Sequence, residues 1–149
     1  MKPDSIVIEP ASWRDLGTVR HLEQLCFPLD AWPLWDIIGV LTFPGIVRLK
    51  AVNTAMQLVG FVAGDIRRDD DVSWIATIAV LPAYQGQGIG RRLLESCEKQ
   101  LPTSSIRLCV RTTNDAAIHL YETAGYERAG TWKNYYQDGA DALVMEKRR

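Results

Sequence analysis

The chain has 149 residues, of which 47% are hydrophobic and 23% charged, and this composition is ordinary for a soluble globular protein. We therefore expect one domain spanning residues 1–149. A formal net charge of −1 argues against a general nucleic-acid-binding or membrane-surface protein. The three widely spaced cysteines form no Cys-x-x-Cys motif, which predicts reduced thiols, a cytosolic setting and no zinc cluster. We expect neither a signal peptide nor a membrane span, because MKPDSIVIEP has no apolar core and no apolar run reaches about 18 residues.

The first half of the chain alternates short strand and helix patterns. A strand is predicted over residues 5–9, where SIVIE alternates apolar and polar residues. Ser12 can cap a helix, with Asp15 placed for a capping box, and apolar residues from Trp13 to Leu25 then recur at helical spacing. This helix breaks at CFPLDAWP, a second short helix is predicted at LWDIIGVL, and strands are predicted at IVRLKAV and QLVGFVAGDI. After the charged turn RRDDD comes VSWIATIAVL (72–81), a nearly continuous apolar strand that we expect to be buried on both faces.

The second half continues the same alternation. A helix is predicted at the end of LPAYQGQGIGRRLLESCEKQL (81–101), with Leu93, Leu94 and Cys97 on one face and Pro102 as its stop. A strand is predicted at SIRLCVR, and a helix at NDAAIHLYETAGY with Asn114 as its N-cap. A closing hairpin is predicted from YERAGTWKNYY and ADALVMEK, with its turn at QDG. Five or more strands with four interspersed helices predict an α/β fold with a mixed sheet.

Three glycines stand at alternate positions just before the third predicted helix: Gly86, Gly88 and Gly90. The N–H groups at a helix N-terminus carry partial positive charge, and glycine lets an anion approach the backbone closely. We interpret residues 85–91 as a phosphate cradle, since such loops follow buried strands in α/β sheets. A bound polyanion would also explain why Arg91 and Arg92 open the helix against the usual dipole preference. The alternative is a flexible strand–helix turn.

The glycine spacing excludes two common phosphate-binding loops. A Walker loop needs Gly-x-x-x-x-Gly-Lys-Ser/Thr, and no such string occurs. The Rossmann pattern Gly-x-Gly-x-x-Gly fails in both registers, because Arg91 and Leu93 stand where its third glycine would be. The pattern that fits is Gln85-x-x-Gly88-x-Gly90, preceded by IAVLPAY.

That pattern, in its strand–loop–helix context, resembles the acetyl-CoA pyrophosphate loop of the GNAT acetyltransferase superfamily. NDAAIHLYETAGY (114–126) resembles the second cofactor segment of that superfamily, while CFPLDAW (26–32) and NYYQDGADALVM (134–145) resemble RimI-type protein N-terminal acetyltransferases. The resemblance covers nearly the whole chain. It implies a splayed central mixed sheet flanked by about four helices, acetyl-CoA as cofactor, and a peptide or protein N-terminus as acceptor. A small-molecule amine acetyltransferase and a non-catalytic acyl-CoA-binding regulatory domain stay open as alternatives.

The resemblance also implies roles for individual residues. Backbone groups at the end of one strand would bind the pantetheine arm and thioester: Ile78, Ala79 and Val80. Backbone N–H groups of the loop and helix start would hold the pyrophosphate: Gln85, Gly86, Gln87, Gly88, Ile89, Gly90 and Arg91. Asn114 would bond the pantetheine arm, unless it is only a helix cap, and Tyr121 would face the CoA sulfur, unless it is only a core residue. Aromatic side chains would line a peptide groove: Trp32, Tyr135 and Tyr136.

Cys109 marks a departure from the resemblance, because RimI-like enzymes place a glutamate general base at this position and related enzymes a histidine. Strand alternation sets Cys109 on the face opposite its two neighbours. We expect a small buried thiol here in preference to a base or a covalent acetyl carrier. Three acids stay open as the base, none fixed by a motif: Glu23, Asp30 and Asp65. We expect His21 and His119 on the surface.

Overall fold

The structure is a computed structural model that describes residues 5–149. The first four residues of MKPDSIVIEP, for which we expect no signal peptide, lie outside the described residues. Within residues 5–149 there are seven strands: β1 (Val7–Pro10), β2 (Ile46–Val52), β3 (Leu58–Arg67), β4 (Val72–Val80), β5 (Ser105–Arg111), β6 (Glu127–Trp132) and β7 (Ala142–Arg148). The same range holds four α-helices: α1 (Leu16–Cys26), α2 (Leu34–Thr42), α3 (Ile89–Gln100) and α4 (Asp115–Thr123). No helix among these residues is long and apolar enough to cross a membrane.

The strands form one mixed sheet in the order β1-β2-β3-β4-β5-β7-β6, which confirms the predicted α/β fold with a mixed sheet. All neighbours are antiparallel except β4 and β5, whose parallel pairing covers only Val72–Trp74 and Ser105–Arg107. Beyond Trp74 the two strands separate. A bulge begins there, since Ala63 of β3 faces Thr77 and Gly64 faces Ile75, which leaves Ala76 as an extra residue in β4. Bulges bend a strand and end regular pairing, so this one accounts for the gap.

Two apolar clusters hold helices on the sheet. α1 and α2 pack against it through a cluster with Leu22, Ile37 and Phe61 at its centre, whereas α3 packs through Leu93 and Leu94 in the other cluster. α3 also lies directly over two glycines of β3. A Cβ at Gly60 would come within 2.9 Å of Leu93 Cδ1, and one at Gly64 within 2.9 Å of Cys97 Sγ. This close approach fixes where the N-terminus of α3 meets the gap between β4 and β5.

Most predicted elements occur with small shifts. β2 and β5 match the predicted ranges, the Ser12–Asp15 capping box forms, and Asn114 caps α4. β1 begins two residues later than predicted, and the first helical segment opens with a 3-10 turn at Trp13–Asp15. Trp13 and Leu25 are 65% and 49% exposed, so the helical spacing overestimated the apolar face.

One expectation about the strands was wrong in detail, and another was confirmed. β4 alternates buried and half-buried residues along its whole length instead of being buried throughout. The predicted hairpin pairs β6 with β7, and its turn at QDG forms, since Gly139 N donates to the carbonyl of Tyr136 at 2.9 Å. The pairing stops short of this turn, because β6 ends at Trp132 and β7 begins at Ala142. The intervening segment 133–141 brings Tyr136 over the gap. His21 and His119 are exposed, as predicted.

Candidate active site

A cleft of about 690 Å³ opens where β4 and β5 separate. Its walls come from β4, β5, the glycine-rich turn before α3, and α4, and its rim comes from the α1–α2 connection and the 133–141 segment. The structure brings the sequence-predicted site residues together around this cleft, except Gln87 and Tyr135. Those in the lining are Trp32, Ile78, Ala79, Val80, Gln85, Gly86, Gly88, Ile89, Gly90, Arg91, Asn114, Tyr121 and Tyr136.

The glycine-rich turn presents bare backbone at the N-terminus of α3. Gly86 and Gly88 both have φ of +81°, and no atom lies within 4 Å of the position that a Cβ would take at either residue. Gly88 is the N-cap of α3, and no side chain caps the helix. The N–H groups of the first turn therefore lack a capping oxygen, which is the arrangement that binds anions such as a pyrophosphate.

The two arginines after the turn have partners within the protein. Arg92 donates to the carbonyl of Ile6 at 2.9 Å. Arg91 donates to the Thr123 side chain at the end of α4 and lies 3.7 Å from Glu95. These contacts give both side chains partners within the protein, so neither arginine is by itself evidence for a bound polyanion. The bare backbone alone supports the interpretation as a phosphate cradle.

The carbonyl of Val80, the last residue of β4, is occupied within the protein. It accepts hydrogen bonds from Cys26 Sγ at 3.2 Å and from Gln85 Nε2 at 3.0 Å. Gln85 therefore ties the glycine-rich turn back to the last residue of β4. A ligand that pairs with the backbone of this strand must use groups other than this carbonyl, or displace one of the two donors.

α4 contributes two polar side chains to the opposite wall. Asn114 Oδ1 accepts from Ala117 N at 3.2 Å as the helix cap, which leaves the amide Nδ2 to the cleft. Tyr121 is 7% exposed and packs edge-on against Tyr126, with ring centroids 6.0 Å apart. Its hydroxyl makes no hydrogen bond to any other residue of the range 5–149. Burial raises the pKa of Tyr121 well above its ordinary value, so at neutral pH the hydroxyl is a hydrogen-bond donor.

Cys109 faces the cleft from β5 and is half-buried. Burial raises the pKa of its thiol to about 11, and Cys26 and Cys97 are also unpaired. At neutral pH the Cys109 thiol is therefore protonated, which suits neither a base nor a nucleophile. The expectation of a small buried thiol at this position was wrong in part, since Cys109 is half-buried and its side chain lines the cleft.

An ion-pair cluster at the rim was not foreseen from the sequence. Arg111, at the end of β5, donates to both carboxylate oxygens of Asp30, at 2.6 and 2.7 Å, and to Asp138 at 3.0 Å. Its guanidinium carbon lies 4.4 Å from the centroid of the Tyr136 ring. The cluster joins the α1–α2 connection to the 133–141 segment. No local motif could have revealed it, because Asp30 and Arg111 are 81 positions apart.

Aromatic rings extend from this rim across the sheet. Tyr136 packs at right angles to Tyr135, with centroids 5.0 Å apart, and Tyr135 contacts Trp132 at 5.6 Å. Trp132 in turn contacts Trp74 of β4 at 5.8 Å. Tyr135 thus lies beside the cleft lining instead of within it, and it is 52% exposed. Trp32 reaches the cleft from the α1–α2 connection.

The other two acids considered as bases lie in different surroundings. Asp65 pairs with Arg67 at 3.2 Å, and both side chains are partly exposed. Glu23 is 1% exposed, and Thr77 Oγ1 donates to its Oε1 at 2.5 Å. Thr77 was missed in the sequence, although a hydroxyl residue within the apolar strand VSWIATIAV was a signal that could have found it. Within the part of the chain that the structure describes, no cluster of His, Cys, Asp or Glu is arranged to hold a metal ion.

Comparison with known proteins assigns a family to this geometry. Residues 19–126 match the family model described as Acetyltransferase (GNAT) family. The chain is 38% identical over 159 aligned positions to an N-alpha-acetyltransferase of Saccharolobus solfataricus, covering 98% of this chain and 95% of that protein. It is 47% identical over 74 residues to N-alpha-acetyltransferase RimI of Mycobacterium tuberculosis, covering 49% of this chain and 47% of that protein. The chain thus spans about half the length of that relative.

A solved structure supports the same assignment. The crystal structure of the ribosomal-protein-S18-alanine N-acetyltransferase from Escherichia coli superimposes with a TM-score of 0.85 and 29% sequence identity. The match covers 97% of this chain and 94% of the bacterial enzyme. The resemblance inferred from the glycine-rich turn and the segment 114–126 is therefore confirmed, including its RimI-like character.

Proposed function

The chain belongs to the acetyltransferase (GNAT) family, and from that premise we propose that it transfers the acetyl group of acetyl-CoA to the α-amine of a protein or peptide N-terminus. The observation that carries the proposal is the cleft between β4 and β5, with the bare N-terminus of α3 at one end and the Tyr121 hydroxyl in its wall. Acetyl-CoA is the acetyl donor of this family. The acceptor class rests on N-alpha-acetyltransferases of three organisms, which are relatives at 29–47% identity.

Acetyl-CoA would lie along the gap as a substitute for the missing pairing between β4 and β5. Its pyrophosphate would bind the N–H groups of residues 85–91, where the unfilled space beside Gly86 and Gly88 permits close approach. The pantetheine arm would bond those backbone groups of the segment 78–80 that point away from β3 into the gap, and the amide of Asn114. The acetyl group then lies near the β4 backbone, whose N–H groups can stabilise the oxyanion of the tetrahedral intermediate.

Tyr121 would act on the leaving sulfur. Its hydroxyl is buried, protonated and free of partners among the described residues, so it can donate a hydrogen bond that strengthens as the thiolate forms. Complete proton transfer from the tyrosine to the thiolate is unfavourable in free energy at unperturbed pKa values, since a tyrosine pKa is near 10 and a thiol pKa near 8.5. Burial raises the pKa of Tyr121 further, which favours hydrogen bonding over complete proton donation.

The acceptor would enter from the opposite side of the cleft. Trp32, Tyr136 and the Arg111–Asp30 ion pair form the rim there, and Tyr135 extends it. Aromatic faces and a rigid ion pair suit a short extended peptide whose first residue reaches the thioester. We also propose that this unit acts as one domain over residues 1–149 and in the cytosol, where its three unpaired thiols stay reduced.

The test is direct measurement of transfer. A library of short peptides with free N-termini, and a parallel set of small-molecule amines, are incubated with acetyl-CoA while released thiol is measured. A mass increase of about 42 Da on the N-termini of the peptides supports the proposal, because that is the mass added when one acetyl group replaces one hydrogen of the attacking amine. Turnover of small amines alone, or binding of acetyl-CoA with no transfer to any amine, would contradict it.

A further inference from the structure

Glu23 holds the one buried side-chain oxygen or nitrogen within residues 5–149 that has no hydrogen-bond partner. Its Oε1 accepts from Thr77 Oγ1 at 2.5 Å, whereas its Oε2 has no partner among the described residues. An unpaired buried carboxylate oxygen is costly, and proteins tolerate such a group where it binds water or takes part in chemistry.

Glu23 lies in an apolar neighbourhood that includes the titratable thiol of Cys26. Glu23 lies on the buried face of α1 with Val19 and Leu22, which pack in an apolar cluster with residues of α2, β3 and β4: Ile37, Val40, Leu41, Phe61, Ala63 and Ala79. Its titratable neighbour is the thiol of Cys26, one helical turn further along α1. From β4 it receives the Thr77 hydroxyl. Burial raises the pKa of Glu23 and the Thr77 hydrogen bond lowers it, with burial the larger effect.

The Glu23 carboxyl interacts with two residues of the cleft lining. Both residues that flank it, Thr77 and Cys26, line the cleft. Cys26 donates to the carbonyl of Val80, in the strand segment where the thioester would bind. A single water molecule between Oε2 and the cleft would therefore connect the carboxyl to an amine that approaches the thioester.

The alternatives are less suited to accept a proton. The Cys109 thiol, at the position of the family base, has a pKa raised to about 11 and is protonated at neutral pH. Both oxygens of Asp30 are held by Arg111, and Asp65 is paired with Arg67 outside the cleft lining. Glu23 is the carboxylate beside the cleft that keeps an oxygen free.

Resting on the proposed function, we propose that Glu23 accepts the proton of the attacking α-ammonium through one water molecule. The α-ammonium gives one proton to that water as the water gives one to Oε2, which leaves a neutral amine. The nitrogen lone pair attacks the thioester carbonyl carbon, so the C–N bond forms and the C–S bond breaks. The nitrogen loses its second proton as the CoA sulfur gains one, and Glu23 releases its proton to solvent, which completes the balance.

The decisive experiment compares kcat against pH for the wild-type protein and variants, with a peptide identified as a substrate. A base must be unprotonated, so wild-type kcat should rise with pH through the pKa of Glu23 and then level off. Glu23→Gln keeps the shape and an acceptor for Thr77 but cannot take a proton. This substitution should lower kcat by about 100-fold or more and leave the affinity for acetyl-CoA unchanged. It should also remove the rise of kcat with pH that the wild-type protein shows, which we call the limb of the pH profile. Cys109→Glu, added to Glu23→Gln, should restore activity, because it returns a carboxylate to the cleft.

Two further variants distinguish proton transfer from a structural role. Thr77→Val removes the hydrogen bond that lowers the pKa of Glu23, so the limb should move to higher pH. Glu98→Gln is the matched control, since Glu98 is also buried but accepts from Tyr126 at 2.7 Å and Lys147 at 3.0 Å, outside the cleft lining. It should keep the wild-type limb even if it unfolds at lower temperature.

The outcomes are separable. If Glu23→Gln has the kcat and the pH limb of the wild-type protein, the role of Glu23 is overturned and the proposed function is unaffected. A lower kcat with an unchanged limb and no rescue by Cys109→Glu assigns Glu23 a structural role and also overturns the proposal. If Glu23→Gln does not fold, an unmoved limb in Thr77→Val overturns it. No transfer by the wild-type protein overturns the proposed function and, with it, this step.

Discussion

Arg111 holds both carboxylate oxygens of Asp30, through Nε at 2.6 Å and Nη2 at 2.7 Å, and so joins the end of β5 to the connection between α1 and α2. Because Arg111 also contacts Asp138 and Tyr136, a single guanidinium fixes both sides of the rim. Lysine cannot reproduce this planar, bidentate contact. We expect Arg111→Lys to raise the KM for peptide about tenfold, with the affinity for acetyl-CoA unchanged, measured by steady-state kinetics and calorimetry.

Arg107→Lys is the matched control for this prediction. Arg107 lies on the same strand and pairs with Glu146 at 2.5 Å, but it does not line the cleft. It should leave the KM for peptide close to the wild-type value. Equal effects of the two substitutions would show that the Arg111 cluster acts only through general stability.

Gly88 is expected to be essential for holding acetyl-CoA. Its φ of +81° strains any L side chain, and a Cβ would occupy the open space beside the N-terminus of α3. Gly88→Ala or the bulkier Gly88→Val should weaken acetyl-CoA binding by about tenfold or more in calorimetry. Gly45→Ala controls for strain, because Gly45 has φ of +76° but lies outside the cleft lining. Wild-type affinity in a folded Gly88 variant would refute the proposed pyrophosphate contact.

Tyr121 is expected to act in the transition state. Tyr121→Phe removes only the hydroxyl, so kcat should fall about tenfold or more while the Kd for acetyl-CoA changes little. The neighbouring Tyr126 provides the control, since its hydroxyl donates to Glu98 at 2.7 Å and does not line the cleft. Tyr126→Phe should lower the melting temperature of the protein, whereas its kcat should stay close to the wild-type value. An unchanged kcat in Tyr121→Phe, with chemistry limiting turnover, would exclude this role.

Cys109 is not expected to carry the acetyl group. Burial raises the pKa of its thiol to about 11, so the reactive thiolate is scarce at neutral pH and increases with pH up to that value. Alkylation of Cys109 by iodoacetamide should therefore be slow at pH 7 and accelerate about tenfold per pH unit, as followed by peptide mass spectrometry. Cys109→Ala should keep substantial activity. A thioester trapped on Cys109 with acetyl-CoA alone would overturn this expectation.

The elements of the fold were accessible from the sequence because their signals are local. β2 and β5 have short apolar runs bounded by turns, and α4 has both a capping asparagine and a closing glycine, so all three occur close to where they were predicted. The glycine-rich turn was recognisable for the same reason. Its function depends on backbone conformation, and Gly86 and Gly88 do adopt the left-handed conformation that favours glycine.

The parts of the site that were missed depend on distant contacts. The Arg111–Asp30 pair and the Thr77–Glu23 hydrogen bond join residues 81 and 54 positions apart in the sequence. The separation of β4 from β5 follows from a one-residue bulge at Ala76, which no hydrophobic pattern reveals. The partners of Arg91 and Arg92 were also hidden from the sequence. Their positions at the start of α3 suggested a ligand, and the structure adds tertiary contacts with Thr123 and Ile6.

The acceptor preference follows from the cost of removing a proton from an amine. An α-amine has an ordinary pKa of about 7.7–8.0 and a lysine amine about 10.4. Near neutral pH about a tenth or more of α-amines are neutral, against fewer than about one lysine in a thousand, so the lysine costs about 3–4 kcal/mol more to deprotonate. This site has Cys109 at the position of the family glutamate, so it should favour the acceptor whose amine costs least free energy to deprotonate, which is the α-amine.

We therefore expect this protein to acetylate the α-amine of a short peptide in preference to an internal lysine of the same peptide. The test is one peptide that carries both groups, incubated with acetyl-CoA at pH 7 and sequenced by tandem mass spectrometry. Raising the pH to about 9 should narrow the preference, because lysine deprotonation becomes less costly by about 1.4 kcal/mol per pH unit while the α-amine is already neutral. A peptide with a blocked N-terminus is the control and should react slowly at pH 7. Predominant modification of lysine at pH 7 would show that the cleft selects a different class of acceptor.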